Sequence, residues 1–126
     1  MQKLTFETSW DKALPSKDRE RIVHIFKETR SQHYPTIKLT PLWQATNHRG
    51  ELLITVLVHN FSGDIVKFNN TKLRYIEKNK VIAEHAFSIP PLSIPPETSM
   101  PWAFIFPVEA LNGQASFVNG NLEFAD

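Results

Sequence analysis

The nine-residue run from 52 to 60 constrains the fold of this chain more than any other stretch. It is the longest apolar run, it is rich in β-branched residues, and it is too short to cross a membrane as a helix, so it predicts a β-strand. Its alternating positions are Leu52, Ile54, Val56 and Val58 on one side, and Leu53, Thr55, Leu57 and His59 on the other. Because both sides carry apolar residues, the strand belongs in the middle of a sheet with both faces at least partly covered.

One segment, from about Lys17 to Thr29, reads as a good helix. Ser16 is its plausible N-cap, and Asp18 and Glu20 lie in the first turns, where acidic residues favour a helix start. The apolar stripe follows the i, i+3, i+4, i+7 spacing and consists of Ile22, Ile25, Phe26 and Thr29. We expect this stripe to dock on the second face of the 52–60 strand. The segment before the helix, with Leu4, Phe6 and Trp10, predicts a small strand or an arm.

From about residue 36 the pattern is typical of short strands separated by turns. Lys78-Asn79-Lys80 predicts a hairpin turn, and Asn119-Gly120 predicts a second, two-residue one. The predicted strands, besides 52–60, are 37–43 with a bend at Pro41, 65–68, 72–77, 81–88 and 98–106.

Prolines mark two further features of this β region. The segment 89–96 predicts an extended connector, because proline donates no hydrogen bond to a neighbouring strand. For the same reason, Pro101 restricts the 98–106 strand to a sheet edge, or to pairing on one side near its start.

Together these elements predict a mainly β fold, an antiparallel immunoglobulin-like β-sandwich with one N-terminal amphipathic helix. A chain of 126 residues is long enough for one domain with a real core and too short for two. We therefore expect a single domain over residues 1–126, with the arm and helix over about 1–34 and the sandwich over about 35–126.

Composition excludes several classes of function. A net charge of +1 gives no electrostatic footprint for nucleic acid or anionic lipid. The absence of cysteine excludes disulfides, thiol catalysis and cysteine-based zinc sites. The N-terminus lacks a basic region followed by an apolar core, and there is no run of about 20 apolar residues. The expected location is therefore the cytoplasm, without a transmembrane segment.

No catalytic, cofactor-binding or metal-binding constellation is recognisable, so we expect neither an enzyme nor a cofactor. The chain has no glycine-rich phosphate loop and no nucleophile elbow. Its histidines lie in no metal-binding motif and are His24, His33, His48, His59 and His85.

Four residues are candidates for contact with a partner: Trp43, His59, Asn60 and Pro101. His59 and Asn60 end the central strand. Two roles are consistent with this position: contact with a partner, or hydrogen bonds to backbone groups of the following turn. If Trp10 or Trp43 is exposed, it becomes the first binding-site candidate, since exposed apolar patches mark interfaces. The alternating stripe of Met100, Trp102, Phe104 and Phe106 is more typical of a core than of a peptide groove.

Several runs, spread over nearly the whole chain, resemble the SLAP domain of Bacillus-type bacteria. The most specific part is the Thr-Ser-Met-Pro-Trp run followed by Phe-Ile-Phe-Pro. The matching segments are 41–47, 50–53, 56–60, 70–73, 82–87 and 92–107, with Trp10, Leu14, Arg21, Ile22 and Phe26 near the N-terminus.

This family is named after the S-layer assembly protein of the accessory Sec export system, which carries such domains. The resemblance implies a non-catalytic protein-binding module whose partner is the secretion machinery or an S-layer precursor. Capture of an extended client segment at a sheet edge would be its mechanism. An envelope-facing module that binds wall polymer is the alternative, and a small hydrolase is a third. The sequence leaves the oligomeric state open.

Overall fold

The computed structural model describes residues 1–32 and 35–125, which form a mainly β fold with two helices. Within these residues neither helix is long and apolar enough to span a membrane. The elements in chain order are β1 (Lys3–Leu4), α1 (Thr8–Ala13), α2 (Ser16–Thr29), β2 (Ile37–Thr46), β3 (Leu52–Asn60), β4 (Val66–Lys67), β5 (Thr71–Glu77), β6 (Lys80–Phe87), β7 (Ser93–Ile94), β8 (Thr98–Phe106) and β9 (Gly120–Phe124).

The strands form three sheets, in the orders β1-β8-β3-β2, β6-β5-β9 and β4-β7. As the sequence predicts, β3 is central and pairs antiparallel with β2 on one side and with β8 on the other. The prediction of a wholly antiparallel arrangement is wrong at one place, because β1 runs parallel to β8. The immunoglobulin-like topology stays a prediction.

The main core lies on the inner face of the first sheet. The even-numbered side of β3 and the aromatic stripe of β8 face it, as predicted, although Trp102 is only partly buried. The second sheet supplies the opposite wall. The largest fully buried side chains of this core are Tyr75, Phe104, Phe106, Ile54, Leu73, Leu92 and Ile94.

The outer face of the first sheet is covered by α2. Ile22, which is 0% exposed, and Phe26 pack on Leu57 of β3 and Leu42 of β2. The Arg21 guanidinium donates to the Leu42 carbonyl at 3.0 Å and fixes the helix to the edge of the sheet. The predicted docking of this helix on the second face of β3 is confirmed.

A polar chain through His59 ties four elements together. The Gln2 amide donates to Ser99 Oγ at 3.0 Å, and the Ser99 hydroxyl lies 2.6 Å from His59 Nδ1. On the other side, His59 Nε2 lies 2.8 Å from Thr29 Oγ1, whose hydroxyl donates to the Ile25 carbonyl. A neutral imidazole with its proton on Nε2 satisfies every one of these bonds.

The helical region differs from the prediction in two ways. Ser16 is the first residue of α2 and not its N-cap, because Pro15 holds the extended conformation that precedes the helix. A second helix, α1, is present where a strand or arm was predicted, and the Glu7 carboxylate accepts from the Ser9 N–H at its start. Its six residues are too few to display a helical period in the sequence.

The predicted turn at Asn119-Gly120 is wrong, whereas the one after β5 is confirmed. Lys78 and Asn79 both have positive φ, as a two-residue hairpin turn requires. Gly120 instead begins β9, which pairs with β5, and no strand precedes it in residues 112–119. A Cβ at Gly120 would clash with the Tyr75 ring, so this glycine leaves room for the tyrosine side chain on β9.

The segment before β9 is held by Glu77, which is 5% exposed. Its carboxylate accepts from the Ser116 and Phe117 N–H groups at 2.9 Å, and from the Tyr75 hydroxyl at 2.7 Å. Burial alone would raise the pKa of Glu77, but these hydrogen bonds outweigh it and lower the pKa below its ordinary value.

We predict that Glu77→Gln lowers the free energy of unfolding at pH 7 by about 2 kcal/mol, because the amide cannot accept from all of these donors. Urea unfolding measures the change. The control is Glu109→Gln, at an exposed glutamate without hydrogen bonds to the described residues, and it should stay within about 0.5 kcal/mol of the wild type. Equal effects of the two substitutions would contradict the prediction.

A second prediction concerns acid stability. Burial, with a smaller contribution from the Lys38 ammonium, lowers the pKa of His59 from 6.5 to about 4. Between pH 6.5 and pH 4, His59 is protonated in the unfolded chain but stays neutral in the folded protein. The contribution of His59 to folding stability should therefore be intact well above pH 6.5 and fall by about 3 kcal/mol as the pH drops to 4.

Urea unfolding from pH 7 to pH 4 tests this in the wild type and in His59→Gln. We expect the variant to be less stable at pH 7, but it should lose about 3 kcal/mol less than the wild type on acidification. His24→Gln is the control, since the His24 side chain is 70% exposed, and it should keep the wild-type pH dependence. Parallel curves for the wild type and His59→Gln would refute the assignment.

Candidate partner-binding surface

The outer edge of β8 is only partly occupied. β1 pairs with Thr98 and Ser99, where the Lys3 and Thr5 N–H groups donate to the Glu97 and Ser99 carbonyls at 2.9 Å. The pairing ends there, because the next outward-facing position of β8 is Pro101, which has no N–H. Pro101 thus sits at a sheet edge and interrupts pairing on one side, as its place in the sequence predicts.

Beyond Pro101 the edge is open. Along an antiparallel strand, the backbone N–H and C=O groups of successive residues point alternately toward one neighbouring strand and the other. Because Ser99 and Pro101 are outward-facing positions, the N–H groups of Ala103 and Ile105 also point away from β3. Within residues 1–32 and 35–125 no strand pairs with this side of β8 after Ser99. We call residues 101–106 the open edge. It offers two donors and three carbonyl acceptors to an incoming strand.

The outer face beside the open edge is apolar and is not covered by α2. The pairing registers align Ala45, Leu53 and Ile105 in one row across β2, β3 and β8. Ile105 is 46% exposed, and Leu53 is partly exposed. Exposed apolar residues grouped in this way are typical of interaction surfaces. We call this row, together with Trp43 in the adjacent row, the outer-face patch.

A groove of about 370 Å³ adjoins the patch at Trp43. We call it the tryptophan groove. Trp10 of α1 forms part of it and also lies 6.5 Å, ring centroid to ring centroid, from Trp102 of β8. Trp10 thus links the groove to β8, and none of the three indole N–H groups donates a hydrogen bond to the described residues. The lining residues are Ser9, Trp10, Ala13, Leu14, Pro15, Asp18 and Trp43.

The structure brings only part of the predicted partner-binding set to this surface. Trp43 is partly exposed in the groove, and Pro101 begins the open edge although its own side chain is buried. His59 and Asn60 are both 0% exposed. Asn60 holds the turn after β3, because its amide donates to the Asp64, Ile94 and Pro95 carbonyls and its carbonyl accepts from Ser62.

Asp18 and Ile105 belong to this surface but were not among the residues that the sequence predicted to contact a partner. Ile105 could have been found, because it alternates with the aromatic stripe of β8 and so must face away from the core. Asp18 could not, since its position in the groove depends on α1, which the sequence did not predict.

The described residues include no group of three histidine, aspartate or glutamate side chains placed to hold a metal ion. His33 lies outside the described residues.

Comparison with known proteins adds the family. The family model for the SLAP domain matches residues 4–120, which is nearly the whole chain. Comparisons with curated proteins and with solved structures gave no match. The matched range includes Trp10, Trp43 and the whole open edge, and its extent shows that the chain belongs to the SLAP domain family.

Proposed function

We propose that this chain is a non-catalytic protein-binding module of the cytoplasm that assists the export or assembly of surface-layer proteins. Membership of the SLAP domain family supports the connection with the S-layer and the accessory Sec system. The open edge of β8 supports the binding mechanism, and it is the single observation on which the proposal chiefly depends. A client segment in an extended conformation would add to the sheet at residues 101–106.

The fold provides a precedent for this binding mode, since β1 is already an extended segment added to the same edge. A client strand would continue along β8 where β1 stops. Its main chain would bond to Ala103 and Ile105, and its outward side chains would meet the outer-face patch. Main-chain bonds bring affinity for many sequences, whereas the patch selects apolar side chains.

Affinity purification from the native host tests the function. The tagged protein should recover the accessory Sec ATPase, or a surface-layer precursor with its signal sequence still attached, identified by mass spectrometry. Recovery of unrelated cytosolic proteins only would contradict the export role. Recovery of the protein itself from outside the membrane would favour the envelope-facing alternative.

The binding mechanism yields a sharper prediction. Ala103→Pro removes one outward N–H from the open edge and should lower client recovery about tenfold, the effect of one lost hydrogen bond. The β3 ladder should tolerate the proline, because Pro101 holds an equivalent outward-facing position. Gln44→Pro is the matched control, since the register places Gln44 at an outward-facing position of β2, on the opposite edge of the sheet.

Thermal unfolding of both variants checks that each is folded. Ile105→Lys, which leaves the backbone unchanged and places a charge in the patch, should also lower recovery. Undiminished recovery with folded Ala103→Pro, or equal losses in Ala103→Pro and Gln44→Pro, would exclude the open edge as the client site.

A further inference from the structure

The tryptophan groove has a chemistry of its own that the open edge does not explain. Its walls are the indole rings of Trp10 and Trp43 with Leu14 and Pro15, and Asp18 is the one charged residue in its lining. Apart from Ser9 and Asp18 the lining is apolar, and a mainly apolar groove with a single carboxylate matches an amphipathic side chain. Lysine and arginine have this shape, with an apolar stem and a cationic head.

The Asp18 carboxylate has no cationic partner of its own. It forms neither an ion pair nor a hydrogen bond with any described residue. The nearby Asp11, in contrast, is paired with Arg19 at 2.9 Å. The Lys12 and Lys17 side chains are exposed, and neither pairs with Asp18.

The chain already uses this chemistry once, next to the groove. The Arg19 guanidinium lies 4.7 Å from the centroid of the Phe6 ring while it pairs with Asp11. An aromatic face and a carboxylate together hold one cation. The groove repeats the arrangement with two indoles, which bind cations more strongly than a phenyl ring, but the cation is not supplied by the described residues.

We propose that the tryptophan groove binds a basic side chain, lysine or arginine, of the client segment that adds to the open edge. This rests on the proposed function for the identity of the partner as a polypeptide. The cationic head lies against the indole rings of Trp10 and Trp43 and pairs with Asp18, and the apolar stem lies along the groove. The module thus selects extended segments that carry a positive charge beside apolar residues.

A helix-stabilising role for Asp18 is the competing explanation. Asp18 lies in the first turn of α2, where a carboxylate offsets the positive end of the helix, and Pro15 provides no side-chain cap there. The partial charge of the helix end also opposes a bound cation. For the groove to bind a cation, the attraction between the Asp18 carboxylate and the cation must therefore exceed the repulsion by the helix end. The experiment has to separate this role of Asp18 from helix stabilisation.

The probe is a blocked seven-residue peptide of alternating threonine and valine with one central arginine, compared with the same peptide carrying citrulline, the neutral isostere. Tryptophan fluorescence of the full chain follows binding. The wild type should bind the arginine peptide about tenfold more tightly than the citrulline peptide. High salt should reduce this ratio, because the paired charges lie near the surface.

Asp18→Asn should bring the ratio down to about threefold or less. Glu20→Gln is the matched control, because it removes an exposed carboxylate two residues away on the same helix and should leave the ratio unchanged. Trp43→Leu keeps the groove apolar but removes an aromatic face, and it should also reduce the ratio even if Asp18→Asn proves unstable.

Equal binding of the two peptides by the wild type would overturn the proposal, and so would a ratio that Asp18→Asn and Trp43→Leu both leave intact. A failure to bind either peptide would overturn it as well. The proposed function is decided separately, by client recovery with Ala103→Pro.

Discussion

The arrangement of this fold depends on the hydrogen bonds of the neutral His59 imidazole. Through it the N-terminal arm, β8, β3 and α2 share one chain of hydrogen bonds. Phe61 stacks on the ring with the centroids 5.0 Å apart, so the imidazole is both a packing surface and a polar junction. Because a buried polar group without partners costs about 1–3 kcal/mol, the four elements constrain one another's positions. The helix is thereby held over one end of the outer face.

That placement also determines what stays uncovered. The helix covers Leu57 and His59 of β3, and the row through Leu53 remains outside it. At the neighbouring edge, Pro101 stops β1 after two residues, and the chain departs into α1, which carries Trp10 to Trp102. The open edge, the outer-face patch and the tryptophan groove are therefore adjacent because of the features that fix the fold. This is the surface to which we propose that a client binds.

The sequence predicts those features of the fold that depend on the properties of neighbouring residues in one segment. The apolar character of both sides of β3 predicts a central strand and a docked helix, and Pro101 predicts an interrupted edge. The failures depend on distant contacts. Gly120 reads as a turn glycine, although it is required by the Tyr75 ring, which is far away in sequence. The sequence leaves His59 either on a binding surface or bonded to the turn that follows it, and only the positions of Ser99 and Thr29 show which groups it contacts. The groove needs α1 beside Trp43, which no local pattern encodes.

Amide hydrogen exchange of the purified protein with and without its client tests the central claim most directly. The account predicts that client binding slows exchange at Ala103 and Ile105, whose N–H groups point outward from β8. Exchange at Gln44 and Thr46, on the outward side of β2, should not change. Slower exchange at the β2 edge, or unchanged exchange at Ala103 and Ile105 with the client bound, would contradict strand addition at the open edge.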